Sequence, residues 1–211
     1  QAPSVAADVA AFSFDRAVVT DRWETAAMLV ANRFHFEHNC AVLSVDGYPE
    51  GIGDTIRTML RRNLRLTVFA LHDAAPGGCL LPLTLREPEW LPEPSVRVVD
   101  LGLGRETAKG LRLPVMHEPL RKVPPRLDEV LPPEDVEWLI AGNSAELAAL
   151  RPAQVLRAAY EGIRRVGHPG DAGSASGPDS GADLGYGYPG IIWVGDVHDE
   201  RRDTASVDGF G

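Results

Sequence analysis

Residues 18–78, VVTDRWETAAMLVANRFHFEHNCAVLSVDGYPEGIGDTIRTMLRRNLRLTVFALHDAAPGG, alternate short β-rich apolar runs with segments of helical spacing. Three strands are expected here. The first is 17–20, Ala-Val-Val-Thr closed by Asp21; the second is 41–45, closed by Asp46-Gly47 and Pro49; the third is 66–71, ending at His72-Asp73. Between the first two, residues 24 to about 37 place Ala27, Leu29, Val30 and Phe34 at three- and four-residue steps, the pattern of an amphipathic helix. Between the second and third, Asp54 offers an N-cap for a helix over 55–63. Its apolar face holds Ile56, Met59 and Leu60, with Arg57, Arg61 and Arg62 largely opposite. Strands that alternate with helices imply crossover connections and an α/β fold: a Rossmann-like, mostly parallel sheet with helices on both faces. In such sheets ligands collect beyond the carboxyl ends of the strands, which is where Asp21, Asp46 and Asp73 fall.

Working outward, 95–101 (SVRVVDL) reads as a fourth strand, and the proline-rich 77–94 as an irregular connection rather than a long helix. Helical patterns return at Pro133-Glu134-Asp135, at 145–150 and at 152–165, with Leu147, Leu150, Val155, Leu156 and Ile163 as apolar positions. The organisation expected is a lead-in over 1–16, one domain over 17–167 and a flexible Gly/Ser/Pro-rich tail over 168–211. The apolar island 191–194 is the tail's candidate for docking as an added strand or for holding a partner. A start at Gln1 rather than Met reads as a piece of a longer protein.

With 211 residues, 44% of them hydrophobic, the chain can bury one core, and its formal charge of −9 opposes a general affinity for nucleic acid. Cys40 and Cys79 form neither a C-x-x-C unit nor a zinc ladder, so a reducing, cytoplasmic setting is expected. No apolar run approaches the ~18 residues that a membrane span needs, and no membrane partner is expected. The cluster His35, Glu37, His38 and Cys40 lacks the H-E-x-x-H spacing and reads as polar groups at an exposed helix end. His72 reads either as an acid/base or as a hydrogen-bonded structural group. GYPEGIGD has glycines but no Lys-Ser/Thr, and so serves a tight turn rather than a phosphate loop. Arg57, Arg61, Arg62 and Arg65 form the chain's candidate phosphate or nucleic-acid ridge, against the plainer reading of a solvated helix face.

The Glu24 helix, the Gly47-Tyr48-Pro49 turn, VFALHDAAPGG, VRVVDLGL, LPPEDVEWL and SAELAALRP follow one another in an order that resembles the Toprim domain of the A component of topoisomerase VI and its meiotic relative, over roughly 17–167. The resemblance implies a Mg²⁺ site and DNA processing. It carries a glutamate after the first strand, onto which Glu24 maps with Asp21 beside it, and an Asp-x-Asp pair, of which Asp73 matches the first member and Ala75 stands at the second. Asp21, Glu24 and Asp73 are thus the candidate catalytic and metal-binding residues. Asp100 is a candidate to replace the missing ligand, or else a turn cap. The winged-helix domain that carries the family's nucleophilic tyrosine has no counterpart here, and Tyr48, Tyr160, Tyr186 and Tyr188 match no such motif. Two functions are expected from this. One is a degenerate Toprim-like binding or scaffolding module of a larger bacterial-type assembly, with a protein partner or a second copy. The other is a Mg²⁺-dependent, nuclease-like phosphodiester-processing enzyme; the missing ligand and the missing tyrosine domain favour the first.

Overall fold

The computed structural model describes residues 14–166 apart from 48–51, 64, 92–95, 121 and 123. The lead-in through 13, the Tyr48-Pro49 part of the turn, the tail and its island 191–194 lie outside the described residues. Four strands, β1 (Arg16–Thr20), β2 (Ala41–Ser44), β3 (Thr67–Leu71) and β4 (Arg97–Asp100), make one parallel sheet in the order β2-β1-β3-β4. The register sets Val18 between Val42 and Phe69, and Phe69 beside Val99.

Period-two alternation divides the sheet residues between two cores. Val18, Val42, Phe69 and Val99 face one side, where α1 (Trp23–Ala31) contributes Ala26 and Leu29 and α8 (Pro152–Val166) contributes Val155, Ala158, Ala159 and Ile163. Ala17, Val19, Leu43, Val68 and Ala70 face the other side. There α3 (Ile52–Arg62) supplies Ile52, Ile56, Met59 and Leu60, and the short α5 (Leu81–Leu85) supplies Leu81 and Leu85. Helices therefore flank both faces of a parallel sheet, as the alternating pattern predicts. Each fully buried Leu or Phe adds about 1.5–3 kcal/mol of hydrophobic stabilisation. At the β4 edge, Arg86 donates to the Val98 carbonyl at 2.9 Å, which caps a backbone group that could otherwise pair with another chain.

The expected helix over 24–37 is instead two: α1, then α2 (Phe34–Glu37), separated by Arg33 at φ +58°. The left-handed residue ends α1 and turns Phe34 into the core, where it is 1% exposed. α3 begins at Ile52, so Asp54 lies in its first turn rather than at its cap and pairs with Arg57 at 2.7 Å. Part of the irregular connection is helical, as α4 (Pro76–Cys79) and α5, each with proline in its first turn, where the missing N–H costs nothing. The helix expected at 145–150 is absent. After α6 (Arg105–Gly110), β5 (Met116–His117) and α7 (Pro133–Ile140), the chain forms β6 (Asn143–Ser144), a two-way bridge from Ala145 to Ala74, and one 3₁₀ turn over Leu147–Ala149. The Ala74–Ala145 hydrogen bonds, 2.9 and 3.0 Å, claim backbone groups that a helix would have used internally. No helix among the described residues is long and apolar enough to cross a membrane.

Candidate functional site

From β1 the chain goes to β2 on one side and returns through α3 to β3 on the other, so the strand order reverses between β1 and β3. The crevice at such a reversal, outside the carboxyl ends of the strands, is where open α/β sheets hold ligands. Asp21 follows β1 there and Asp73 follows β3. Asp21 Oδ2 accepts the Asp73 backbone N–H at 3.0 Å, whereas Asp21 Oδ1 is buried with no partner among the described residues. Asp73 Oδ1 accepts the Leu147 N–H at 2.8 Å, and its Oδ2 faces Arg22 Nε at 3.3 Å. Arg22 also reaches Glu146 at 3.6 Å. The Ala74–Ala145 bridge is what draws Glu146 and Leu147 across the end of β3.

Two nearly buried carboxylates so close together resist ionisation. Burial pushes the Asp73 carboxyl up to about 6, with the negative Asp21 adding to the effect and Leu147 N–H and Arg22 opposing it. Burial likewise raises Asp21, less the help of the Asp73 N–H. Gly78 in α4 makes the close approach feasible, because a Cβ there would lie 2.5 Å from the Asp73 carbonyl and 2.7 Å from Asp21 Oδ2.

Behind this pair His72 is 1% exposed, its Nδ1 2.8 Å from the Asp73 carbonyl and its Nε2 3.1 Å from Asp100 Oδ1. Burial alone would lower its pKa, but the Asp100 carboxylate outweighs burial and raises it. Burial alone would raise Asp100, but the His72 charge and the Gly102 N–H, 2.7 Å away, lower it. With an oxygen facing each ring nitrogen, His72 is clamped in the fold at both ends, an arrangement that favours its protonated form. No ring nitrogen is left over for acid/base work.

No family model matches the sequence, and no curated protein matches it.

Of the candidate residues, Asp21 and Asp73 come together, Asp100 is tied to His72 and Gly102, and Glu24 stands exposed in the first turn of α1. This donor set does not fit a divalent ion. Mg²⁺ requires several oxygens in octahedral array, yet both Asp73 oxygens are engaged, a guanidinium stands against one of them, and Asp21 Oδ1 is the pair's single oxygen without a partner among the described residues. No group of three or more His, Cys, Asp or Glu side chains is arranged for a metal among the described residues. Ala75 is the extended residue that precedes α4 and contributes no ligand.

The arginine ridge is divided. Arg57 is held by Asp54 and the Glu89 carbonyl, Arg61 bonds only the Thr58 hydroxyl, and Arg65 lies beyond the helix end, which leaves Arg61, Arg62 and Arg65 as exposed cations without an ion pair to a described residue. His38 stacks on Tyr160 at 4.7 Å and His35 lies against Phe36 at 4.1 Å, while burial pushes the Cys40 thiol up to about 12. Glu146 and the Leu147 N–H escaped sequence reasoning altogether. Their only signal is a single acid beside an apolar run, and nothing in one sequence says that this run crosses β3.

Proposed function

We propose that this chain is a Toprim-like binding module whose acid pair is neutralised by its own arginine rather than by a metal, and which serves as a scaffolding component of a larger assembly. The observation that carries the reading is the Arg22 guanidinium on Asp73, bridged onward to Glu146. A cation already supplied by the chain offsets part of the charge of the pair and covers one oxygen a metal would need. The short distance from β1 to Arg22, two residues, fixes that cation at the strand end without any added loop.

A Mg²⁺-dependent phosphodiester-processing enzyme is the second reading. It is favoured by one observation: a carboxyl held up to about 6 in a sheet crevice is the kind of perturbed group that functional sites carry. Plasmid nicking separates the two. Wild-type protein and Asp73→Ala, incubated with supercoiled DNA in Mg²⁺ or Mn²⁺, are expected to leave it equally intact. Nicking by the wild type that disappears in Asp73→Ala would replace the scaffold with the enzyme.

A further inference from the structure

The two ends of the sheet carry opposite charge. Asp21, Asp73 and Asp100 stand at the carboxyl ends of the strands, whereas β1 and β4 each begin with an arginine, Arg16 and Arg97. Both arginines pair in register with Thr67 of the intervening β3 and therefore lie in one row, two strand spacings or about 10 Å apart. Alternation puts them on one face: Arg16 is two residues before Val18 and Arg97 two before Val99, which face the side that holds α8. Arg97 is exposed and Arg16 half-buried, and neither has an ion pair with a described residue. An aromatic stack adjoins this row. His38 lies on Tyr160 of α8 at 4.7 Å, and Arg16 is close enough to His38 for its charge to help burial lower the His38 pKa, against Glu37. Tyr160 remains 43% exposed although His38 lies against one face of its ring, and Arg164, one helical turn further along α8, is exposed and also without an ion pair to a described residue.

We propose that this end of the sheet binds single-stranded nucleic acid, with phosphates on Arg16 and Arg97 and a base stacked on the open face of Tyr160. Cations that hold the backbone, beside an aromatic ring that takes a base, are what a single strand requires, and a guanidinium grips a phosphate through two N–H groups. A duplex keeps its bases stacked inside and has no use for the ring. An acidic protein segment is disfavoured as the occupant, because a protein interface is centred on an apolar patch and no large apolar side chain stands exposed at the starts of β1, β3 or β4. The formal charge of −9 does not forbid the contact: residues 167–211 hold eight acids against two arginines, so most of the negative excess falls in the sequence after α8. Asp15 and Glu37 adjoin the row and limit its charge, so the affinity expected is modest.

The surface lies at the other end of the strands from Asp21 and Asp73, so it goes beyond the binding-module reading, and the two fail separately. Fluorescence anisotropy of a labelled oligothymidylate of about 15 nucleotides, titrated with the full chain, tests it. The wild type is expected to bind with a Kd on the order of 10 µM at about 50 mM salt and to weaken as salt rises. Arg97→Gln is expected to lower the slope of log Kd against log salt by about 0.7, the loss of one phosphate contact on a single strand. Tyr160→Leu is expected to weaken binding by about fivefold or more with the slope unchanged, and Tyr160→Phe to bind like the wild type. Both positions are exposed, so thermal melting of each variant should match the wild type. No saturable change below about 1 mM protein, Arg97→Gln with the wild-type slope, or Tyr160→Leu with the wild-type affinity would each overturn the proposal. So would a duplex of equal length that binds as tightly, or polyglutamate that displaces the strand at equal charge, which would make the occupant an acidic protein segment. Saturable metal binding by the acid pair would instead overturn only the reading of that pair.

Discussion

Gly102→Ala is expected to destabilise the fold by about 3–5 kcal/mol, measured as a lower urea midpoint with an unchanged slope. A Cβ at position 102 would lie 2.0 Å from His72 Nε2 and 2.1 Å from its Cε1, well inside contact distance. The ring cannot move aside cheaply. It is fully buried, and both nitrogens are committed, one to the Asp73 carbonyl and one to Asp100. Displacing it strands a buried carboxylate as well as the ring, and unpaired buried charge is among the costliest defects a core can hold. Moving residue 102 instead would break the Gly102 N–H bond to the same carboxylate oxygen. Gly110→Ala is the control: it lies in α6 with nothing within 4 Å of a new Cβ, and is expected to be stabilising by about 0.4–1 kcal/mol. A cost below about 1 kcal/mol at Gly102 would mean that the His72–Asp100 clamp is not rigid.

Asp73→Asn is expected to remove most of the pH dependence of stability between about pH 4 and pH 6. The folded carboxyl titrates near 6 against an ordinary value of 3.8. In that window the folded state binds the extra proton, so stability is highest below the unfolded value, falls as the pH rises through the folded one, and is level above it. The difference corresponds to about 3 kcal/mol lost over the window. Asp21 and His72, both raised, act in the same direction, whereas the lowered Asp100 contributes stability that is lost only as the pH falls below the ordinary carboxylate range. Asparagine keeps an oxygen for the Leu147 N–H but has no charge to desolvate, so the variant should melt at or above the wild-type temperature at pH 7.5. Melting curves across pH 4–8 check this. A wild-type curve that rises from pH 4 to pH 6 would show that Arg22 more than offsets burial at Asp73.

Much of the sheet was legible because its signals are local. The run TVFAL and the acids after it mark β3 and its end without reference to the rest of the chain. α8 was readable for the same reason: Val155, Leu156 and Ile163 fall at helical spacing, and the structure adds Ala158 and Ala159 to the buried face. What was hidden depends on pairings between distant residues. Residues 145–150 have a respectable helical pattern, yet Ala145 is captured by Ala74 across the end of β3, and tertiary hydrogen bonding overrides local preference. Arg33 likewise carries no breaker signature. Its left-handed backbone follows from the need to bury Phe34 while α1 lies on the sheet. At the site, Asp21 and Asp73 could be placed from strand ends alone. That Arg22 would turn onto Asp73, and that Asp100 would be spent on His72, required the geometry.

On the binding-module reading, Arg22 supplies the cation for the Asp21–Asp73 pair. Calorimetric titration of Mg²⁺ and Mn²⁺ into the wild type, with Asp73→Ala alongside, tests it most directly. No saturable heat up to about 10 mM metal, with the two proteins indistinguishable, is the predicted result. Saturable binding by the wild type that is lost in Asp73→Ala would contradict it, because Arg22 would then have to yield its place to the metal.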